Sequence, residues 1–420
     1  MIGYEQALAI LLRGTTRLEN ETVAAGDAVG RVLAADVVGP AALPRFDNAA
    51  MDGFALALHG RPPPGAGQEL PVRGSIAAGV MAGEAGEGAW EIMTGAPLPA
   101  GMDTVVPVER VDVIADEDAQ AIPARIRLRE TPVPGANVRR RGEDVGEGER
   151  VMTASEVAGA AHVMLLAALG VARVPVVRRP RVAIIATGLE LAGGDIADGA
   201  RIHDSNTPFL RLRLRAAGAE VVAEERVADD PDAFAAALDR IREQPVDLVI
   251  SIGAVSKGRY DFVPASLRAR NADLLFHGVG IRPGKPLLAA RLPDGRLHVG
   301  LPGNPASCAV GLRFFVEPVL RAMLGLPAER PLRLPLAEAA WRRPGLRTHL
   351  HARLECGASG QLTVRPLPRQ ESFRLQPFLA SHAWLVLPPA EAGDGLLAAG
   401  APVDVHATGH LDAWPWRQEG

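Results

Sequence analysis

The 420-residue chain is poor in cysteine, in aromatic residues and in long runs of any one kind. Its two cysteines, Cys308 and Cys356, lie far apart, so neither a zinc or iron–sulfur spacing nor a disulfide framework is implied. Aromatic residues make up 4%, too few for the stacking platforms that hold single-stranded nucleic acid. The formal net charge is −4 and no long basic tail is present, which argues against a general nucleic-acid binder. No apolar run approaches a membrane span. The start MIGYEQALAILLRG lacks the basic residues and apolar stretch of a signal peptide. A cytoplasmic protein without nucleic-acid or membrane partners is expected. What is abundant is glycine (45) and proline (35), above their usual share, as in chains with many tight turns and β-rich modules. Hydrophobic residues at 48% and charged residues at 22% are ordinary for a globular protein, and the length suggests two to four domains.

The stretch GLPGNPASCAVGLRFFVEPVL, residues 300–320, organises the rest. It reads as a strand end, a Pro-Gly turn and a long apolar helix. Asn304 stands at the N-cap position and Pro305 at the first helical position. Such a turn either simply caps a helix or offers backbone N–H groups to a phosphate or another oxyanion.

Upstream, residues 4–13 place Tyr4, Ala7, Leu8, Leu11 and Leu12 on one helical face that ends at Gly14. The segment LPRFDNAAMDGFAL, 43–56, is turn-rich between apolar stretches. Asp47 and Asp52 there either belong to a tight surface loop or project carboxylates toward a hard cation or a polar ligand. Residues 70–113 read as short strands separated by Gly and Pro, with Thr94 the hydroxyl of the loop MTGAPLPAG, and 124–130 alternate as a strand. Arg139, Arg140 and Arg141 precede Glu143 and Asp144 as a charge run, read as a solvated face or as ion pairs to a ligand or another subunit. SEVAGAAHVMLLAALG, 155–170, predicts a helix with Ser155 as N-cap and Gly170 just past its end.

From 181 onward strands and helices alternate: RVAIIAT, then a helix from DSN at 204–206, AEVVAEERV, a helix from Asp229, DLVISIG, a helix after Tyr260, LLFHGVGI, and a strand pair about the turn at 293–296. This pattern predicts a doubly wound α/β domain with a mainly parallel sheet, whose ligands bind beyond the carboxyl ends of the strands. Thr187-Gly188 with Glu190, Asp229, Ser251 to Gly258, Asp261, Pro283 to Pro286 and Pro302 to Pro305 fall there. GAVSKGRYD supplies glycines for close approach, the Ser256 hydroxyl and the Lys257 cation. RPGKP supplies Arg282 and Lys285. Asp229 and Asp261 either serve helix starts or, as carboxylates, hold Mg²⁺ while cations and N–H groups hold phosphates. Neither GxGxxG nor a P-loop sequence is present, which disfavours a nicotinamide dehydrogenase. Residues 330–410 read as a small β-barrel or sandwich of short strands, in which His349 and His351 are expected on a polar face.

The segments PRFDNAAMDGFA, IMTGAPLPAGMDTVVPVE, RRRGEDV, ATGLEL, DSN, DDPD, ISIGAVSKGRYDF, IRPGKP and GLPGNP, in this order, make the chain resemble the MoeA family of molybdopterin molybdenumtransferases, which is related to the gephyrin E domain. The resemblance implies a multidomain α/β plus β protein: a discontinuous linker domain (1–45 and 139–177), an inserted β domain (46–138), a doubly wound α/β molybdopterin-binding domain (178–328) and a C-terminal β-barrel (329–420). It implies insertion of molybdate into adenylylated molybdopterin, with Mg²⁺ and release of AMP. It implies a homodimer whose cleft joins the α/β domain of one subunit to the β domain of the other, with transient contact to molybdopterin adenylyltransferase and to downstream cofactor-handling proteins. Catalytic roles are implied for Asp52, Thr94, Glu190, Asp229 and Asp261, the last three also as metal ligands. Substrate-binding roles are implied for Asp144, Ser205, Gly253, Ser256, Lys257, Arg282, Lys285, Pro302, Asn304 and Pro305.

Three positions depart from the family pattern. Gly278 occupies a position where relatives often carry a basic residue, and Lys257 one where they often carry a small or apolar residue, so Lys257 is expected to supply the missing cation. Ala254 replaces a common glycine and gives up backbone freedom. The rival functions are adenylylation of molybdopterin, whose enzyme resembles the α/β domain alone, and a scaffolding role like that of gephyrin.

Overall fold

The structure is a computed structural model that describes residues 1–80, 86–114, 123–188, 191–192, 202–256, 261–391 and 395–412. Its centre is a six-stranded sheet in the order Glu220–Val227, Arg181–Thr187, Leu248–Ile252, Leu297–Leu301, Leu288–Arg291, Asp273–His277. The first four strands are parallel; Leu288–Arg291 runs antiparallel to both its neighbours, so Asp273–His277 points the same way as the first four, and the sheet is mainly parallel as the sequence pattern predicts. The inner strands Arg181–Thr187, Leu248–Ile252 and Leu297–Leu301 are largely apolar runs because both faces are covered. Val182, Ile184 and Ala186 enter one core with Leu210, Leu214, Val310 and Phe314 of flanking helices. Ala183 and Ile185 enter the opposite core with Phe234, Leu238, Val263 and Leu267. Each such large apolar side chain contributes about 1.5–3 kcal/mol when fully buried.

The helix after the organising turn is not uniform. It is α-helical over Pro305–Gly311 and Glu317–Met323, with a π-helical stretch, Leu312–Val316, between. Pro318 explains the break: it has no N–H for the carbonyl of Phe314 and its ring would crowd that carbonyl. The Tyr4 hydroxyl donates to the Phe314 carbonyl instead, at 3.4 Å. The helix that carries Tyr4, Tyr4–Arg13, buries Ala7 and Leu11 in the same core.

Ahead of this sheet, strand Asn20–Ala24 pairs antiparallel with Arg173–Val177, so chain from both sides of residues 46–138 meets in one layer. The helix expected from Ser155 begins later, at Ala160, and runs to Ala168. Residues 155–158 are claimed by pairing with the chain around Val32: Val157 bridges Val32, and Ala158 donates to the Arg31 carbonyl at 2.9 Å. Tertiary pairing thus overrides local helix preference there. Gly170 has φ +71 just past the helix, as its position predicts.

Residues 53–128 form a second six-stranded sheet, in which Arg125–Leu128 alternates exposed and buried residues. In the C-terminal region, strands Leu332–Pro335, Pro402–His406, Ala383–Leu387, Arg347–Cys356 and Leu362–Pro366 pair in that order. A bridge from Leu336 to Val364 joins the first to the last and closes a barrel. His349 and His351 do not lie on a polar face: both are buried, His349 with its ring centroid 4.3 Å from that of Phe314. Phe314 of the α/β domain covers His349, and Phe378 and Trp384 of the C-terminal region cover His351, on a face that alternation alone would have left to solvent.

Candidate active site

Strand ends and turns bring most of the expected residues to one edge of the central sheet. Gly253 follows strand Leu248–Ile252 with φ +90, and a Cβ there would stand 2.7 Å from Thr187 Oγ1. The Gly253 N–H donates to the Leu301 carbonyl at 2.9 Å, and Thr187 Oγ1 donates to the Ile252 carbonyl at 3.1 Å. A Cβ at Gly303 would lie 3.9 Å from Gly253 Cα, so the 253 and 302–305 turns touch. The Asn206 amide donates to the Gly303 carbonyl at 2.7 Å, which brings the neighbouring Ser205 to the same turn. The 282–286 turn also reaches it: a Cβ at Gly284, φ +104, would be 3.4 Å from the Ser307 carbonyl. Ala254 has φ +51, the left-handed conformation that the commoner glycine adopts without strain.

The polar groups of this edge are largely open. Ser256, Gly303 and Asn304 are exposed, Pro305 is half-buried and Pro302 is buried. Arg282 and Lys285 are exposed and have no carboxylate within ion-pair distance among the described residues. Burial and then the Arg343 guanidinium hold Arg282 below the usual arginine value, as for a cation facing another cation without a counter-ion. Asp229 and Asp261 sit at the same edge, half-buried. Neither is the N-cap of the helix that follows it: Asp230 accepts from Ala233 N–H at 2.7 Å, and Phe262 holds the cap position of Val263–Ala269. Asn304 occupies the cap position without a side-chain cap bond, and the Ala306 N–H donates to the Ser372 carbonyl at 3.0 Å. The helix start therefore offers a ligand one N–H fewer than the sequence suggests. Glu190 and Lys257 lie outside the described residues.

A second group forms in the β-rich region. Asp52 Oδ1 accepts from the Thr94 N–H at 2.6 Å and the Thr94 hydroxyl at 2.8 Å. These two bonds, the backbone one first, hold the Asp52 carboxyl below its usual range. The turn is possible because a Cβ at Gly53 would sit 2.0 Å from the Val106 carbonyl. Both Asp52 and Thr94 are exposed, and these hydrogen bonds stay inside residues 46–138. Asp47 instead binds the arginine run, accepting from Arg140 Nη1 at 2.8 Å and from the Arg141 N–H at 2.7 Å. Asp144 is exposed, its N–H on the Leu43 carbonyl at 3.0 Å. Sequence reasoning left out Asn206 and Arg343. Asn206 stands in the DSN segment, so its amide could have been weighed, whereas only folding brings Arg343 near Arg282.

Magnesium is the metal that the family resemblance implies. A hard cation takes oxygen ligands, and Mg²⁺ commonly uses one or two carboxylates with water and substrate phosphate. The described residues hold no cluster of three or more His, Cys, Asp or Glu groups suited to a metal. Asp229 and Asp261 are the described carboxylates, and Ser256 the described hydroxyl, whose chemistry suits such a sparse oxygen site.

Comparison with known proteins bears on the whole chain. Residues 2–170 match the family described as MoeA N-terminal region (domain I and II). Residues 183–322 match the "Probable molybdopterin binding domain", and residues 333–408 the MoeA C-terminal region (domain IV). A molybdopterin molybdenumtransferase of Synechococcus elongatus is 38% identical over 97% of this chain and 100% of its own length. The chain belongs to the MoeA family. Among other members, molybdopterin molybdenumtransferase 2 of Mycobacterium tuberculosis is 37% identical over 96% of this chain and 98% of its own. The crystal structure of a molybdopterin biosynthesis MoeA protein from Pyrococcus horikoshii superposes with a TM-score of 0.77 at 27% identity, covering 97% of this chain and 100% of that one. The MoeA architecture, an α/β domain with β-rich neighbours, is the one described above.

Proposed function

We propose that the protein is an enzyme that inserts molybdate into adenylylated molybdopterin and releases AMP, giving molybdenum cofactor. One observation carries the reading: in a chain of this family, the turns 253–256, 282–286 and 302–305 converge on one strand edge with uncompensated cations. The substrate carries phosphates and molybdate is a tetrahedral oxyanion, so both need this kind of cradle. Arg282 and Lys285 neutralise charge, Ser256 and Asn304 donate hydrogen bonds, and Gly253, Pro302 and Pro305 keep side chains out of the ligand's way. Lys257 adds the cation that Gly278 lacks. The dithiolene sulfurs are themselves the nucleophiles toward molybdenum: two S–Mo bonds form as one molybdate oxygen leaves as water with the two thiol protons, and a water cleaves the pyrophosphate to release AMP, so the protein's contribution is positioning and charge neutralisation. Mg²⁺, held by Asp229, Asp261 and Glu190, supplies further charge neutralisation at the phosphates.

Asp52 and Thr94 enter from a second copy of the chain, with Asp144 contributed to the same cleft. Supporting this is their exposure and a hydrogen-bond network that does not reach the central sheet's edge. The working form is then a cytoplasmic homodimer, which receives its substrate from an adenylyltransferase and hands its product to cofactor-handling proteins.

The test is AMP release from purified adenylylated molybdopterin, with and without molybdate and Mg²⁺. Molybdate-dependent release is expected. Release that ignores molybdate, or ATP consumption with molybdopterin, would overturn the reading. Loss of molybdate dependence in Lys257→Ala is expected; unchanged dependence would remove Lys257 from the site.

A further inference from the structure

The amino ends of the parallel strands, opposite the ligand edge, carry a cavity of about 830 Å³. Arg181 and Glu220 open neighbouring strands in register, and the run from Arg181 to Thr187 puts roughly 20 Å between the two ends of the sheet. Helix Asn206–Ala216 turns back into strand Glu220–Val227 here, and Arg211, Arg215 and Glu220 line the cavity together with Arg179. Val29 and Val157 close it from the region ahead of the sheet, and Leu411 from the C-terminal segment. Its volume falls in the range of small-molecule sites, roughly 300–1,000 Å³.

Its charges are not closed among themselves. Arg211 is engaged, donating to the two Glu224 oxygens at 2.5 and 2.8 Å. Arg179 and Arg215 make neither an ion pair nor a side-chain hydrogen bond among the described residues. The neighbour Arg178 is the contrast: it holds Asp247 through Nη1 and Nη2 at 2.7 and 2.8 Å and Glu19 through Nε at 2.5 Å. Arg179 is half-buried, and burial first, then the Arg31 guanidinium, hold it below the usual arginine value; Glu220 acts the other way, more weakly than Arg31. Arg31 itself is closed by Glu21 and the Val177 carbonyl. A cation in the last turn of a helix complements the helix dipole, which gives Arg215 a structural use, but Arg179 precedes a strand and has none.

Two open guanidiniums suit a tetrahedral dianion, which accepts forked hydrogen bonds from arginine. A nucleotide does not suit the cavity, because no aromatic side chain among the described residues lines it for a base to stack on. A free oxyanion would leave the apolar wall of Val29, Val157, Val221 and Leu411 uncovered, whereas the carbon chain of a phosphate ester covers it.

We propose that this cavity binds a small non-aromatic phosphate monoester, with its phosphate on Arg179 and Arg215 and its carbon chain against Val29, Val157, Val221 and Leu411. The site lies at the opposite end of the sheet from the strand edge and does not rest on the molybdate reading.

The experiment is equilibrium dialysis of n-butyl phosphate against the full-length protein at low ionic strength, where attraction to the guanidiniums is least screened. Saturable binding is expected, at least about tenfold tighter than that of inorganic phosphate, since each buried methylene adds roughly fourfold. Arg215→Gln, at an exposed position that does not threaten folding, is expected to weaken it roughly 10- to 150-fold, the scale of one charged hydrogen bond, and Arg179→Gln by a similar factor. Arg211→Gln should weaken it less than about threefold, because Arg211 is already paired with Glu224. Molybdate-dependent AMP release, measured without n-butyl phosphate, should stay within about twofold of wild type in the Arg179 and Arg215 variants, since neither residue reaches the strand edge. Absence of saturable binding to the wild-type protein overturns the site. Binding that is lost in Arg282→Ala but kept in Arg179→Gln and Arg215→Gln places the phosphate at the strand edge and overturns it too. Equal affinity for n-butyl phosphate and inorganic phosphate overturns the ester and leaves a free oxyanion as the ligand.

Discussion

The strand edge at 253 and 302–305 and the Asp52–Thr94 turn are built on opposite principles. At the edge, shape is set by backbone and by missing side chains: Gly253 has no room for a Cβ beside Thr187, and its N–H is spent on Leu301. At the turn, one carboxylate is aimed by two donors of a single threonine. A site of the first kind fails when something is added, and one of the second kind fails when something is removed.

The largest effect should come from addition. Gly253→Val combines φ +90 with a Cβ 2.7 Å from Thr187 Oγ1. We expect it to cost at least about 2 kcal/mol of stability in urea unfolding and to abolish AMP release. Equal stability to wild type would show that the edge tolerates side chains after all. Removal at the other region should act on activity alone. Asp52→Ala should lower molybdate-dependent AMP release roughly 100-fold, the scale of losing one aimed electrostatic group, with an unchanged unfolding midpoint. Thr94→Val should act more mildly. Because the Thr94 N–H and hydroxyl hold the Asp52 carboxyl below the ordinary 3.8, losing the hydroxyl lets Asp52 protonate at higher pH. The acid limb of the rate profile should then move upward; a fixed limb would mean that Asp52 is not the group being titrated.

Acid should separate the regions in a third way. His298, in the central sheet, is fully buried and burial lowers its pKa to about 3; His351 in the barrel is lowered to about 4. In residues 46–138 the one histidine, His59, is exposed. The unfolded chain binds protons near pH 6.5 where the folded one does not, so the stability from these neutral histidines is whole above pH 6.5. It is lost as pH falls through their depressed values, at up to about 1.4 kcal/mol per pH unit and group. Hydrogen exchange at pH 5 should open the central sheet and barrel more than 46–138, and His298→Leu should flatten the slope of unfolding free energy between pH 6.5 and 4. The smallest effect is expected from Arg140→Ala. Its ion pair with Asp47 is half-exposed, so the loss in urea unfolding should stay under about 1 kcal/mol.

Much of this contrast could be read from residue order. Continuous apolar strands such as DLVISIG announce a sheet covered on both faces, and the turns after them announce its ligand edge. The Asp52–Thr94 pair was implied by family resemblance, since 42 positions separate the two and spacing says nothing of their meeting. Three features stayed hidden because tertiary contact decides them. Residues 155–158 pair with the chain at 31–33 rather than start a helix. Ser372 takes the Ala306 N–H that the turn at 304 seemed to offer. His349 and His351 alternate like a solvent face, yet Phe314 of the α/β domain packs on His349 while Phe378 and Trp384 pack on His351.

If the two regions meet only between subunits, defects in them must complement. Asp52→Ala and Asp261→Ala chains carrying different tags would be co-expressed and the mixed dimers purified through both tags. The account predicts that each single-variant dimer is nearly inactive while the mixed dimer recovers about half of the wild-type AMP release, because one of its two clefts holds both carboxylates. Mixed dimers as inactive as their parents would contradict a cleft shared between two chains.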